Sequence, residues 1–127
     1  MITIFGIPNC GSVKKALAWF DAHQIPYHFH NFKKDGLNAS LLDTFLASES
    51  APLLLNKKGT TWRQLDDDTK AQALQNSSIL RTLFLQQPTL IKRPVILFDN
   101  GKVVVGLEEP LWEQFVKETA NHAENRS

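Results

Sequence analysis

The sequence is poor in cysteine and in net charge, and each shortage excludes a class of protein. It contains one cysteine, Cys10, so no internal disulfide can form and redox chemistry must use a sulfur from another molecule. Its 14 Lys and Arg nearly balance 13 Asp and Glu, which leaves no global field to hold nucleic acid or an anionic membrane. No apolar run approaches the ~18 residues of a membrane span, and no basic leader precedes the first apolar segment. We expect a cytoplasmic protein without direct nucleic-acid or membrane partners.

Hydrophobic periodicity predicts a β-α-β unit at the start of the chain. Residues 2–5 alternate as a strand does, and the breaker cluster 6–9 ends them. Apolar residues then fall at helical spacing from Ser12 to about Gln24, and 26–32 alternates again as a second strand. Because such crossovers are almost always right-handed, the two strands are expected to be parallel.

The rest of the chain predicts helices and then a hairpin. Asn38 can cap a helix, and two further helical patterns cover 67–75 and 77–86, so we predict a helical insertion at about 38–88. Strands at 94–98 and 102–106 flank a turn, and a last helix opens at Glu108 or Glu109. We predict a single domain over 1–120 and a flexible C-terminal tail over 121–127, where no apolar residue anchors the chain.

This order, β-α-β, then helices, then β-β-α, is the thioredoxin arrangement. The predicted class is therefore α/β: a thioredoxin-like fold with a mixed four-stranded sheet, covered by helices and interrupted by the helical insertion.

Cys10 lies in the turn between the first strand and the first helix. Backbone N–H groups and the positive helix end there favour a thiolate, and Lys14 adds positive charge, so we predict a lowered thiol pKa. The alternative is that a lone cysteine serves as a small buried apolar residue. A turn bounded by Gly6 and Gly11 is polar and exposed, which favours the nucleophile.

Two basic segments could face this thiol. Lys92 and Arg93 directly precede Pro94 and an apolar strand, and a guanidinium can grip a carboxylate or an oxyanion with two hydrogen bonds. The alternative is a solvated charge pair at the strand entrance. The segment 53–63, which includes Lys58, fits an anion-binding wall or a solvent-facing loop held by Trp62, and the sequence leaves both open. We expect no metal site, since His28 and His30 lack a third ligand.

Three segments carry a family resemblance: IFGIPNC at 4–10 followed by VKKA at 13–16, LLNKKGTTWR at 54–63, and PTLIKRP at 88–94. Together they resemble the arsenate reductase (ArsC)/Spx family, and most of all its YffB-like subgroup. The resemblance spans 2 to about 117. It implies a thioredoxin-like fold with Cys10 as nucleophile, Pro94 as a cis proline and Arg93 as a ligand for an oxyanion or a glutathione carboxylate.

The sequence departs from this family at positions that bear on the substrate. Arsenate reductases coupled to glutathione and glutaredoxin carry a histidine before the cysteine and a serine three residues after it, where this chain has Gly6 and Val13. Of three arginines expected around the oxyanion, Arg93 alone remains, with Asn56 in place of one. Spx regulators commonly carry a second cysteine at the position of Val13, so an Spx-type redox switch is excluded.

These residues predict a thiol-dependent, glutathione-dependent reductase, an oxidoreductase in which Cys10 attacks and glutathione resolves the adduct. Lys14, Lys58, Lys92 and Arg93 would hold the glutathione carboxylates or stabilise charge. Glutathione would be a co-substrate and not a tightly bound cofactor, glutaredoxin a further partner, and the protein a monomer. The alternatives are an Spx-like regulator that binds RNA polymerase and a glutaredoxin-coupled arsenate reductase.

Overall fold

The computed structural model describes residues 1–124, and the side chains of residues 1–118. Two short 3₁₀ helices, Ala51–Leu53 and Pro88–Leu90, accompany the main elements. In chain order the main elements are β1 (Ile2–Gly6), α1 (Gly11–Ala22), β2 (Tyr27–Asn31), α2 (Phe32–Asp35), α3 (Ala39–Leu46), α4 (Thr60–Arg63), α5 (Asp67–Gln75), α6 (Ser77–Gln86), β3 (Val95–Leu97), β4 (Val103–Val105) and α7 (Glu109–Glu124).

The four strands form one mixed sheet in the order β2-β1-β3-β4. β1 and β2 are parallel, as the crossover rule predicts, whereas β1 with β3 and β3 with β4 are antiparallel. The α/β, thioredoxin-like fold with a mixed four-stranded sheet is therefore confirmed.

The chain divides into two units. The first contains Met1–Asp35 and the chain from Arg93 onward, which include the whole sheet with α1, α2 and α7. The second, Gly36–Lys92, contains α3 to α6. We call them the sheet unit and the helical unit. The helical unit contains the segment 38–88 that the sequence predicts as an insertion, and the single domain over 1–120 stays a prediction.

An apolar cluster holds α1 and α7 in the sheet unit. It joins residues of β1, α1, β3, β4 and α7 with Phe98, which follows β3. Its members are Ile2, Ile4, Ala16, Phe20, Ile96, Phe98, Val104 and Trp112. Phe20 of α1 and Trp112 of α7 are fully buried, and their ring centroids lie 5.6 Å apart. Removing such large side chains from water is the main source of stability here. It fixes the position of α1, whose first residue follows Cys10.

Side-chain caps define the helix starts in the helical unit. The Asn38 Oδ1 accepts a hydrogen bond from the Leu41 N–H at 2.8 Å, which confirms the cap predicted for α3. The Asp66 Oδ1 accepts from the Thr69 N–H at 2.6 Å at the start of α5. The Asp43 carboxylate of α3 binds the Arg81 guanidinium of α6 through two hydrogen bonds, of 2.8 and 3.1 Å. This pair ties α3 to α6.

The structure differs from the predictions in its shortest elements and at its end. The four-residue helices α2 and α4 are too short to show a periodicity, so the sequence predicts a strand end and a loop there. The last helix continues to Glu124, so it includes the first four residues of the predicted tail 121–127. The flexibility of this tail stays a prediction. The predicted tail residues 125–127 lie outside the described residues.

Two further observations concern the whole of the described chain. Between residues 1 and 124, none of the helices combines the length and apolar character needed to cross a bilayer. Among residues 1–118, whose side chains are described, no three His, Cys, Asp or Glu side chains come together in a group able to hold a metal ion. The buried side chains among residues 1–118 are all apolar.

The Asp43–Arg81 pair predicts a pH-dependent contribution to stability. The hydrogen bonds and charge of Arg81 lower the pKa of Asp43 in the folded chain. A lowered carboxyl pKa stabilises the fold above the unfolded pKa of ~3.9, and this contribution is lost as pH falls through the folded value. We expect Arg81→Gln to lower the melting temperature by a few degrees at neutral pH, and the deficit to shrink below about pH 4.

Thermal melts followed by circular dichroism between neutral and acidic pH check this expectation. Arg63→Gln, which also removes one exposed arginine, is the control. A deficit of Arg81→Gln that stays constant down to acidic pH would contradict the assignment to Asp43.

Candidate active site

The candidate site lies at one end of the sheet, where three strands meet. Phe5 of β1 pairs with Val95 of β3, which pairs with Val105 of β4. The residues one step further along each strand are Gly6, Pro94 and Gly106, so this register brings them to the same edge. The Gly106 N–H donates to the Pro94 carbonyl oxygen at 2.9 Å. Gly106 has φ +89°, a left-handed conformation that favours glycine at this position.

The turn before β3 has the conformation that the family resemblance implies. The peptide bond between Arg93 and Pro94 is cis, which confirms Pro94 as the cis proline. Pro94 is buried and Arg93 is half-buried. Arg93 therefore emerges at the edge of the sheet beside the end of β1.

Cys10 occupies the N-cap position of α1, with φ −106° and ψ 125°. Its carbonyl oxygen accepts a hydrogen bond from the Lys14 N–H at 3.0 Å, which is the first bond of the helix ladder. The Cys10 side chain is half-buried and carries a free thiol. The sulfur thus lies at the positive end of a 12-residue helix.

Several groups compete to set the ionisation of this thiol. Partial burial is the largest effect and alone would raise the Cys10 pKa, because it removes water from the charged form. The Val13 backbone amide, the Arg93 side chain and the Ser12 backbone amide all favour the thiolate and together outweigh the effect of burial. The Cys10 side chain makes no capping hydrogen bond of the kind that an oxygen side chain makes, since sulfur is a weak acceptor. The amides therefore act on the sulfur mainly through their dipoles at the helix start. The pKa of Cys10 is lowered, as predicted.

The groups that act on the thiol differ from those expected in one respect. Arg93 contacts the sulfur, but Lys14 is not among the groups that lower the pKa. Its side chain is exposed, and water screens an exposed charge, so Lys14 acts on Cys10 only through its backbone N–H. The sequence indicates the effect of the Val13 and Ser12 amides on the Cys10 pKa only through the predicted start of a helix. The side chains of these two residues carry no signal for it.

Lys58 and Lys92 belong to the helical unit, and both are exposed. Their segments pair through the backbone: the Asn56 N–H donates to the Leu90 carbonyl and the Lys92 N–H donates to the Leu54 carbonyl, each at 2.8 Å. Trp62 is 6% exposed, as expected if it holds the loop. This burial fits the solvent-facing interpretation of 53–63, and the binding roles of Lys58 and Lys92 stay predictions.

The similarity to known proteins agrees with this geometry. The sequence profile of the ArsC family matches residues 5–115. The chain belongs to the ArsC family. This match includes Cys10, Arg93 and Pro94 and confirms the resemblance found in the sequence.

Individual members of the ArsC family are similar over nearly the whole chain. A solved protein named YFFB has a TM-score of 0.81 and 33% identity, and the match covers 91% of this chain and 98% of that one. An arsenate reductase (ArsC) related protein from Brucella melitensis has a TM-score of 0.70 and 42% identity, covering 91% and 94%. The global transcriptional regulator Spx of Staphylococcus aureus is 30% identical over 118 residues, 91% of this chain and 87% of Spx.

Removal of the Arg93 charge should reduce ionisation of the thiol. We expect Arg93→Gln to lower the thiolate fraction of Cys10 roughly tenfold at a fixed pH below the pKa, because a charge-assisted hydrogen bond is lost. Arg93→Lys keeps the charge but not the forked donor, so its thiolate fraction should lie between those of the unsubstituted chain and Arg93→Gln. Ultraviolet thiolate absorbance against pH measures this without ambiguity, since the chain has one cysteine.

Lys15→Gln is the matched control, because it removes one exposed positive charge from the neighbouring turn of α1. The assignment fails if Arg93→Gln and Lys15→Gln give the same titration curve as the unsubstituted chain.

Proposed function

We propose that the chain is a glutathione-dependent thiol reductase with Cys10 as its nucleophile. The observation that carries the proposal is the Cys10 sulfur at the start of α1, in contact with Arg93 and with two helix amides that favour its ionised form. A thiolate is the reactive form of cysteine toward a disulfide. The chain has no second cysteine to resolve a covalent adduct, so an external thiol must do so.

The proposed reaction has two balanced steps. The Cys10 thiolate attacks the glutathione sulfur of a mixed disulfide between a substrate thiol and glutathione. A bond forms between Cys10 and glutathione, the substrate disulfide breaks, and the released substrate thiolate takes a proton from water. A second glutathione, as thiolate, then attacks the glutathione sulfur of the adduct, which releases oxidised glutathione and restores the Cys10 thiolate.

The basic residues have a role in this proposal because glutathione carries two carboxylates. Arg93 stabilises the thiolate, and its planar fork also suits a carboxylate. Lys58 and Lys92 present exposed ammonium groups on paired segments of the helical unit. Lys14 is exposed on the first turn of α1. The cytoplasm supplies reduced glutathione, so we place the protein there.

An Spx-like regulator that binds RNA polymerase is the second candidate. The similarity to the transcriptional regulator Spx over most of the chain favours it. In that case binding to polymerase would carry the function, and the Cys10 thiolate would not be required.

Arsenate reduction has less support from the described residues. Asn56, at the position of one expected arginine, uses its Oδ1 to accept the Lys58 N–H at 3.2 Å. Val13, at the position of the serine, is fully buried. Arsenate is a tetrahedral oxyanion that benefits from several forked donors, and Arg93 is the one such donor shown at the thiol.

Oxidised glutathione should modify the chain at one position. We expect stoichiometric addition of one glutathione to Cys10, detected by mass spectrometry of the intact protein, and reversal by reduced glutathione. Cys10→Ser should show no adduct. A chain that stays unmodified in excess oxidised glutathione at neutral pH would rule out the proposed chemistry.

Steady-state kinetics with a glutathionylated peptide distinguish residues that bind the substrate, which affect KM, from residues that act in the chemical step, which affect kcat. Lys58→Gln and Lys92→Gln should each raise KM severalfold with little change in kcat, because each removes a charge that attracts carboxylates. Lys15→Gln serves as control. Unchanged KM values in both variants would remove these two lysines from the binding site.

Retention of RNA polymerase distinguishes the two candidates. Under the leading proposal, neither the unsubstituted chain nor Cys10→Ser should retain purified bacterial RNA polymerase on an affinity column. Equal retention by both proteins, together with no transfer of glutathione, would support the regulator instead.

A further inference from the structure

Gly6 and Val13 lie so close together that a residue with a β-carbon does not fit at position 6 unless its surroundings move. A β-carbon placed on Gly6 would overlap the Val13 Cγ2 atom and would lie 3.2 Å from Cγ1. Val13 has no exposed surface, and Gly6 is buried as well. The valine methyl groups therefore occupy the space that a side chain on Gly6 would need.

Neither residue has room to move away. Gly6 is the last residue of β1 and is paired with Asn31 of the parallel strand β2. Val13 is the third residue of α1, and a valine within a helix has one strongly preferred side-chain rotamer. A side chain on Gly6 would consequently push the first turn of α1 and not merely rotate the valine.

The first turn of α1 is also the part of the backbone that faces the thiol. Cys10 is the N-cap residue of α1, and the Val13 and Ser12 N–H groups of the first turn both favour its ionised sulfur. The atoms that fill the space above Gly6 and the amide that faces the sulfur thus belong to the same residue, Val13. A displacement of Val13 moves its amide together with its methyl groups.

We propose that Gly6 and Val13 form a positioning pair for the nucleophile: the absence of a side chain on Gly6 lets Val13 pack against the end of β1, and this packing holds the first turn of α1, with its Val13 N–H, beside the Cys10 sulfur. The proposal rests on the assigned role of Cys10 as a thiolate. It extends that role, because it names residues that act on the thiol without touching a substrate.

Two alanine substitutions and their combination test the pair. Gly6→Ala should lower the thiolate fraction of Cys10 by roughly three- to tenfold at a fixed pH below the pKa, since one amide that favours the charged sulfur is moved away from it. Adding Val13→Ala should restore it to within about twofold, because that change removes both methyl groups and leaves a Cβ at 3.4 Å, an ordinary contact. Val13→Ala alone should lower the melting temperature by about 5–10 °C without a comparable loss of thiolate.

Gly11→Ala is the matched control, because it adds the same β-carbon beside Cys10 at a position where, apart from the chain neighbours and the backbone of α1, nothing lies within 4 Å. The thiolate fraction is measured by ultraviolet absorbance against pH for all four variants. A folded Gly6→Ala chain that titrates like the unsubstituted one would overturn the proposal. So would a double variant that remains as poorly ionised as Gly6→Ala.

If Gly6→Ala does not fold, the double variant decides the question. A near-normal thiolate fraction there supports the seating of residue 13 against β1, and a reduced one refutes it. The readout uses no glutathione, so a chain that fails to form the glutathione adduct can still show these shifts. Conversely, unchanged titrations would leave the reductase proposal intact.

Discussion

The interaction on which the site depends is that between the Cys10 sulfur and the donors around it. Partial burial opposes a negative charge there, and the amides of the first helical turn and the Arg93 guanidinium overcome that opposition. Three strands must end correctly for this to happen. β1 ends at Gly6 so that the chain can turn into α1, the cis peptide before β3 presents Arg93, and β4 is followed by Gly106, whose N–H donates to the Pro94 carbonyl.

The sequence predicts regular elements well where local signals are strong. The bounds of α5 and α6 follow from periodicity, and their caps, Asp66 and Asn76, are residues that stabilise exposed amides at a helix start. The parallel pairing of β1 and β2 follows from chain chirality. The helices α2 and α4 could not be predicted in this way, because four residues complete about one turn and carry no measurable period.

The candidate site could be predicted only in part from the sequence. Cys10 is recognisable from its local position at a strand-to-helix turn. Its proximity to Arg93 joins residues distant in sequence, so it follows from the predicted fold and the family resemblance and not from a local signal. The predicted effect of the Lys14 charge on the Cys10 pKa is not found, because this side chain is exposed to water. The close approach of Gly6 to Val13 has no local signal, since a glycine shows that space is needed and not which atoms fill it.

The boundary between the two units falls between Lys92 and Arg93, so every group that ionises the sulfur is encoded outside residues 36–92. Natural selection for an acidic thiol therefore acts on the sheet unit. The helical unit is free of that constraint, and substitutions there can change its surface without altering the groups around the Cys10 sulfur. New recognition properties can evolve in this way while the sulfur keeps its ionisation.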